Sequence, residues 1–189
     1  MKPGVRALGV AESFDRGDDR STLAGVVTRA SRVVDGFAFS TITVGGTDAT
    51  EGVVELFERL DREDVRYVVV AGIAPAWFNV VDLHAVHAAT DRPTLSVTFE
   101  QSEGLERPLR EHFDGETLEE RLSTYRDQPP RHEVSVDVGT AYVRAVGCDM
   151  GEARDIVRAF TPEGGRPEPL RVARLAARAA ADLRSGRQG

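Results

Sequence analysis

Val65–Gly72 reads VRYVVVAG, a nearly continuous β-branched run about as long as one strand. A strand exposed on one side alternates apolar with polar residues, whereas a run without that alternation is covered on both faces, as in the parallel sheet of an α/β domain. Val65–Gly72 is therefore expected at the centre of a sheet.

Working back towards the N-terminus, Ala49 to Asp61 carries Val53, Val54, Leu56, Phe57 and Leu60 on one helical face. Asp48 and Glu51 have the acceptor-x-x-Glu spacing of a helix start. Before Gly45-Gly46, Thr22 to Arg29 and Gly36 to Val44 are two β-rich runs joined by the turn-like Ala30 to Asp35, a hairpin pattern. Val5 to Val10, ending at Ala11 and Glu12, is an earlier short apolar strand, and Asp15 to Ser21 reads as a turn. Three strands in a meander thus precede the helix.

Towards the C-terminus, a short helix is expected from Val80 to Ala89 and a strand from Thr94 to Phe99. Leu105 to Tyr125 reads as helix in two pieces broken at Gly115. His132 to Asp137 and Ala141 to Val146 flank a Gly139-Thr140 turn, Asp149 opens a helix to Phe160, and Leu170 to Leu183 is an Ala/Arg-rich final helix. Residues 184–189 read as a frayed tail. At 189 residues the chain suits one domain with a well-buried core.

Three antiparallel strands followed by helix, strand, helix, strand is the order of a ribonuclease H-like α/β fold, a mixed sheet with flanking helices. A doubly wound sheet would alternate strand and helix from the start.

The totals limit the function classes. Apolar residues make up 41% and charged residues 29%, which is ordinary for a globular protein. Of the 24 basic residues only Lys2 is a lysine, against 31 acids and a net charge of −7. An arginine-only basic set with excess acid resembles proteins of salt-loving archaea, although a GC-rich genome gives the same bias. That charge argues against a strongly basic nucleic-acid binder at ordinary salt, where phosphate neutralisation supplies much of the affinity. In molar salt the argument weakens because charges are screened within a few ångströms. A single cysteine, Cys148, excludes an internal disulfide or a thiolate cluster and reads as structural. No run has the length of a signal peptide or membrane span, so a soluble, cytoplasmic protein is expected.

In the expected topology the first and fourth strands lie parallel and adjacent, and their carboxyl ends meet in one crevice. Two-metal phosphodiester cleavage needs several carboxylates there, to hold Mg²⁺ or Mn²⁺. Glu12 ends the first strand, Asp48 follows the third, and Glu168 begins the last helix, so Glu12, Asp48 and Glu168 are the candidate catalytic acids, with Glu12 and Glu168 as metal ligands. Each has a plainer reading. Glu12 suits a solvated strand end, Asp48 suits an N-cap, and Asp82 suits a cap or the crevice. Trp77 and Phe78, before Asn79, suit a stacking site for a base or a core plug. His84 and His87, three apart, permit metal binding or form a surface pair. Arg166, Arg171, Arg174 and Arg178 offer phosphate contacts, and arginine is also the default surface cation here.

Four segments carry a resemblance over nearly the whole chain: VRALGVAESF (Val5–Phe14), TVGGTDATE (Thr43–Glu51), WFNVVDLHAVHAATDRPTLSV (Trp77–Val97) and PEPLRVARLAA (Pro167–Ala177). In these the chain resembles the archaeal family related to endonuclease V and called endonuclease dU. The resemblance implies a metal-dependent endonuclease acting on DNA, or RNA, with a deaminated base such as deoxyuridine, in DNA repair. It carries over to Glu12, Asp48, Asn79, Asp82, Glu168 and Arg171. The chain departs from the pattern at three places: Ala11 stands where relatives carry the first of two acids, Gly45-Gly46 replaces Asp-Gly, and Ala71 stands where endonuclease V has an aspartate. These departures motivate an alternative, a catalytically degenerate member that binds nucleic acid or a partner protein.

Overall fold

A computed structural model describes residues 1–136, 139–161 and 165–186. Its elements follow the order β1 (Arg6–Ser13), β2 (Arg20–Arg29), β3 (Val34–Thr43), α1 (Ala49–Leu60), β4 (Val65–Ala71), a single turn α2 (Pro75–Phe78), α3 (Leu83–Thr90), β5 (Thr94–Thr98), α4 (Glu106–His112), α5 (Gly115–Arg126), β6 (His132–Val136), β7 (Gly139–Val146), α6 (Met150–Phe160) and α7 (Glu168–Arg184). The strands make one mixed sheet of seven in the order β3-β2-β1-β4-β5-β7-β6. β1 runs antiparallel to β2 and parallel to β4, and β4 is parallel to β5. This is the ribonuclease H-like order, extended by an antiparallel β6–β7 hairpin on the far edge.

The valine run of β4 is central, as its composition requires. Val68 and Val70 join the core shared with α1 and α3, and Val69 joins the core shared with α6. The same alternation governs β1: Leu8 and Val10 face α1 and α3, while Ala7 and Ala11 face α6 and α7. Gly9 lies beneath α7, where a Cβ would run into the Pro169 backbone. That glycine lets α7 pack tightly across β1 and β2.

β1, β2 and β3 each run a few residues beyond the sequence reading, and four further boundaries differ for a local reason. α3 begins at Leu83 because the Asp82 carboxylate accepts from the His84 and Ala85 amides, at 2.9 and 3.3 Å, and so fixes the helix start. Residues 73–79 contain the extra turn α2. Gly139 and Thr140 are paired with Val136 and Ser135 in the ladder and are strand residues. α7 starts at Glu168, behind Pro167. Asp137 and the end of the expected C-terminal tail lie outside the described residues.

Candidate functional site

At the carboxyl end of β1, neighbouring residues point to opposite faces of the sheet. Ala11, only 4% exposed, packs beside Ala173 of α7. Glu12 shares the face of Leu8 and Val10, and its Oε2 accepts a 2.6 Å hydrogen bond from the hydroxyl of buried Ser21.

Asp48 occupies the N-cap position of α1 but makes no side-chain cap bond, against the capping spacing in the sequence. Its carboxylate instead accepts from the Thr43 amide at 2.9 Å, the Thr43 hydroxyl at 2.8 Å and the Asn79 side-chain amide at 2.7 Å. Fully buried Asn79 supplies the missing cap, its Oδ1 accepting from the Ala49 amide at 2.8 Å while its Nδ2 also donates to the Thr43 carbonyl. Burial works to raise the Asp48 carboxyl, and the bonds from Thr43 and Asn79 outweigh it and hold the group below its ordinary value. Asn79 is thus a brace between the end of β3 and the start of α1.

Immediately before Asn79, Ala76, Trp77 and Phe78 all have positive φ, at 46°, 57° and 66°. A run of left-handed non-glycine residues costs roughly 1–2 kcal/mol each and persists only where its surroundings impose it. Here the Gly45 amide donates to the Ala76 carbonyl at 2.7 Å, and Trp77 packs where Gly45 lacks a side chain. The turn buries Ala76 and leaves Trp77 46% exposed. Trp77 and Phe78 meet His112 and Phe113 from the end of α4, with centroids 5.3 to 6.1 Å apart. Behind them Arg121, 5% exposed, lies 4.1 Å over the Phe113 ring and donates to the carbonyls of Gly45, Gly46 and Thr117. Burial lowers its pKa, and its Nε has no partner among the described residues.

On the other face, Arg171 holds Glu168 in a two-pronged ion pair at 2.7 and 2.8 Å. The Arg171 bond keeps the Glu168 carboxyl below its ordinary value despite partial burial. Arg171, Arg174 and Arg166 line an open cleft of ≈ 610 Å³ against Ala71, Gly72 and Phe99, at the ends of β4 and β5. Arg166 sits 5.5 Å over the Phe99 ring, and Arg174 has no partner among the described residues.

The family model described as "Endonuclease dU" matches residues 3–181. The chain belongs to the endonuclease dU family. A UPF0215 protein of Thermococcus gammatolerans is 34% identical over 95% of this chain and 93% of its own length, and one of Pyrobaculum aerophilum is 35% identical over 92% of each. Among solved structures, a protein of unknown function from Archaeoglobus fulgidus superposes with a TM-score of 0.81 at 28% identity, covering 93% of this chain and 97% of that one. Endonuclease V of Ciona intestinalis, solved with inosine-containing DNA, superposes with a TM-score of 0.64 at 12% identity, covering 94% of this chain and 86% of that one. The fold is therefore that of endonuclease V, and a nuclease fold.

A divalent-metal centre of the kind implied by the family resemblance does not fit this member's side chains. Glu12 and Glu168 project on opposite faces of the sheet, Asp48 is taken up by bonds from Thr43 and Asn79 and by Arg20 at 3.4 Å, and Glu168 is clamped by Arg171. Alanines 11 and 71 contribute no ligand. Among the described residues no group of three or more His, Cys, Asp or Glu side chains is arranged to hold a metal. His84 and His87 contact separate carbonyls, those of Asp127 and Arg92. Cys148 is half-buried, and burial pushes its thiol up to about 11, the behaviour of a packing residue rather than a nucleophile. Sequence reasoning missed His112, Phe113 and Arg121, which join the site from α4 and α5. The only local signal was an aromatic pair just ahead of the Gly115 break.

Proposed function

We propose that this member of the endonuclease dU family binds DNA carrying a deaminated base, deoxyuridine first among them, in DNA repair, and that it recognises the lesion without a two-metal cleavage centre. The observation that carries the reading is the left-handed turn Ala76–Phe78, which holds an exposed Trp77 against Phe78, His112 and Phe113 at the ends of the central strands. Strain held in a surface turn that displays an aromatic ring is a device for function, and base stacking on such a ring contributes about 1–3 kcal/mol per base. Trp77 and Phe78 stack on the nucleic acid, Asn79 and Asp82 fix the turn and the helix behind it, and the Arg171–Arg174 cleft takes phosphate.

A second reading, a Mg²⁺- or Mn²⁺-dependent endonuclease, is favoured by one observation: Glu12 stands at the end of β1 with only Ser21 bonded to it among the described residues. The two readings separate in one experiment, with purified protein in molar KCl, Mg²⁺ or Mn²⁺, and single- and double-stranded DNA with or without uracil or inosine. Binding without nicking is expected, with affinity falling at least tenfold in Trp77→Ala. Metal-dependent nicking that Glu12→Gln abolishes would replace the first reading with the second, and absence of binding to any of these DNAs would sink it.

A further inference from the structure

The contacts that impose three left-handed residues on the turn Ala76–Phe78 lead back to one buried side chain. The turn rests on Gly45 and Gly46: the Gly45 amide donates to the Ala76 carbonyl at 2.7 Å, and a Cβ on Gly45 would lie 2.7 Å from Trp77 Cε3. Arg121 of α5 holds this glycine floor, its Nη2 donating to the carbonyls of both Gly45 and Gly46 from 76 and 75 residues away in sequence. Among the described residues no other side chain donates to either carbonyl. The same guanidinium lies 4.1 Å over the Phe113 ring, whose centroid is 5.3 Å from that of Trp77 and 6.1 Å from that of Phe78. Arg121 thus touches two walls of the Trp77 seat, while no hydrogen bond or cation–ring contact joins it to Trp77 itself among the described residues.

Helix packing alone does not call for a cation here. Arg121 is 5% exposed and forms no ion pair among the described residues. A charge buried without a counter-ion is unfavourable, and an apolar side chain of the same length would anchor α5 without that penalty. An apolar side chain lacks the guanidinium fork, a rigid plane that donates along its edge to two carbonyls while its face rests on a ring. Lysine lacks it as well, being a compact point charge on a flexible stem. The fork fixes the glycine floor relative to the Phe113 wall, and a side chain lodged between two fixed walls keeps one orientation. Left-handed backbone persists only where its surroundings impose it, so loosening either wall lets the turn relax and the ring move.

We infer that Arg121 is the positioning residue of the Trp77 surface: without touching nucleic acid, it holds the ring at the angle and exposure that stacking uses. The inference rests on the proposed stacking of DNA on Trp77, and it makes the helix pair α4–α5 a working part of that surface. Trp77 is the only tryptophan in the chain, so its fluorescence reports the ring directly in the free protein. Two variants isolate the fork. Arg121→Met keeps the length of the side chain and removes charge and fork together, whereas Arg121→Lys keeps the charge and removes the fork alone.

The test measures Trp77 emission, acrylamide quenching and anisotropy without DNA in wild type and both variants. Affinity for a uracil-containing single strand in molar KCl is then measured, with each substitution also made in a Trp77→Ala background. Both variants are expected to keep the circular dichroism of wild type, while quenching rises about twofold or more and anisotropy falls. DNA affinity should drop about fivefold or more, and the drop should shrink to under about twofold once Trp77 is alanine, because the two residues act through one contact. An equal drop in both backgrounds places Arg121 at some other contact and overturns the inference, as does a folded Arg121→Met whose Trp77 emission and quenching match wild type. Should Arg121→Met fail to fold, Arg121→Lys decides by the same readings. If wild type binds no DNA, the proposed function fails, and the fluorescence of the free protein alone decides whether Arg121 positions the ring.

Discussion

The two faces of the sheet at the carboxyl ends of β1, β4 and β5 differ in what they offer a ligand. On the α7 face the small residues Gly9 and Ala11 are crossed by a helix that brings arginines to an open cleft beside exposed Ala71. On the opposite face the ends carry Glu12, Ser96 and Arg144, and beyond them the Trp77 turn. The sheet end presents a cationic cleft on one side and a smaller cavity lined by Ser96, Arg131 and Arg144 on the other. Small residues at 9 and 11 let α7 settle closely, and the same smallness removes the ligands.

The sharpest way to break the α7 face is Gly9→Val. A Cβ at Gly9 meets the backbone and ring of Pro169, which no rotamer change can relieve. The expected loss is about 3 kcal/mol in urea unfolding, at the upper end of overpacking costs. Gly72 is the contrasting glycine, with no atom of the described residues within 4 Å of its missing Cβ and a φ of 87°. Gly72→Ala should cost only about 1 kcal/mol, from backbone strain. Equal losses at the two glycines would show that α7 does not depend on the close approach.

Ala11→Asp tests whether the lost acid can be restored. The site is 4% exposed under Ala173, so a carboxylate there is desolvated and a loss of about 2–3 kcal/mol is expected at neutral pH. Desolvation raises the folded-state pKa of such a group above its unfolded value. The penalty is therefore full at neutral pH and shrinks as pH falls towards 4, about the unfolded value. A variant as stable as wild type at pH 7 would mean that the α7 face accommodates an acid and that its absence is not a packing requirement.

On the opposite face, Asn79→Ala removes the acceptor for the Ala49 amide and the donor to Thr43 and Asp48 together. The expected loss is about 2 kcal/mol, because buried partners are left unpaired. The Trp77 turn should loosen with it. Limited proteolysis near residues 75–79 in the variant and not in wild type is the check; equal resistance would separate the turn from its brace.

The sequence made the sheet readable because hydrophobic period reports burial directly. The valine run of β4 and the short apolar run of β1 each answer to nearest layers, and both are strands in the centre of the sheet. The site was less readable because its contacts are non-local. Asp48 and Glu51 carry a capping pattern, yet Thr43 and Asn79 offer the Asp48 carboxylate stronger partners, and Asn79 caps from 30 residues away. Ala76-Trp77-Phe78 contains no glycine or asparagine to announce left-handed backbone, which only its packing against Gly45 imposes. Asp82 was the exception, since a cap acts on the residues that follow it directly.

At the far end of the sheet, Asp35 accepts from Arg6 and Arg29 at 2.6 and 2.7 Å. Hydrogen bonds from Arg29 and Arg6 hold its carboxyl far below the usual carboxylate range. A depressed folded-state pKa contributes stability that is present above the unfolded value, near 3.9, and is lost as pH falls through the acid range. Asp35→Asn should therefore be less stable than wild type at neutral pH, with a gap that narrows below about pH 4. A gap independent of pH would assign the difference to packing.

The smallest effect is expected beside the large one at position 11. Glu12 is half-buried, and its one bond among the described residues comes from Ser21, whose hydroxyl donates equally well to the carbonyl of a glutamine. Glu12→Gln should thus change stability by under about 1 kcal/mol, exchanging a charged acceptor for a neutral one. Affinity for uracil-containing DNA should also hold, since stacking at Trp77 does not use this carboxylate. Adjacent residues on one strand would then differ severalfold in cost because the strand turns one towards a packed helix and the other towards the cleft. If Glu12→Gln instead lowers DNA affinity only when Mg²⁺ is present, the carboxylate holds a cation at the DNA, and the open face takes part in metal chemistry that the α7 face does not.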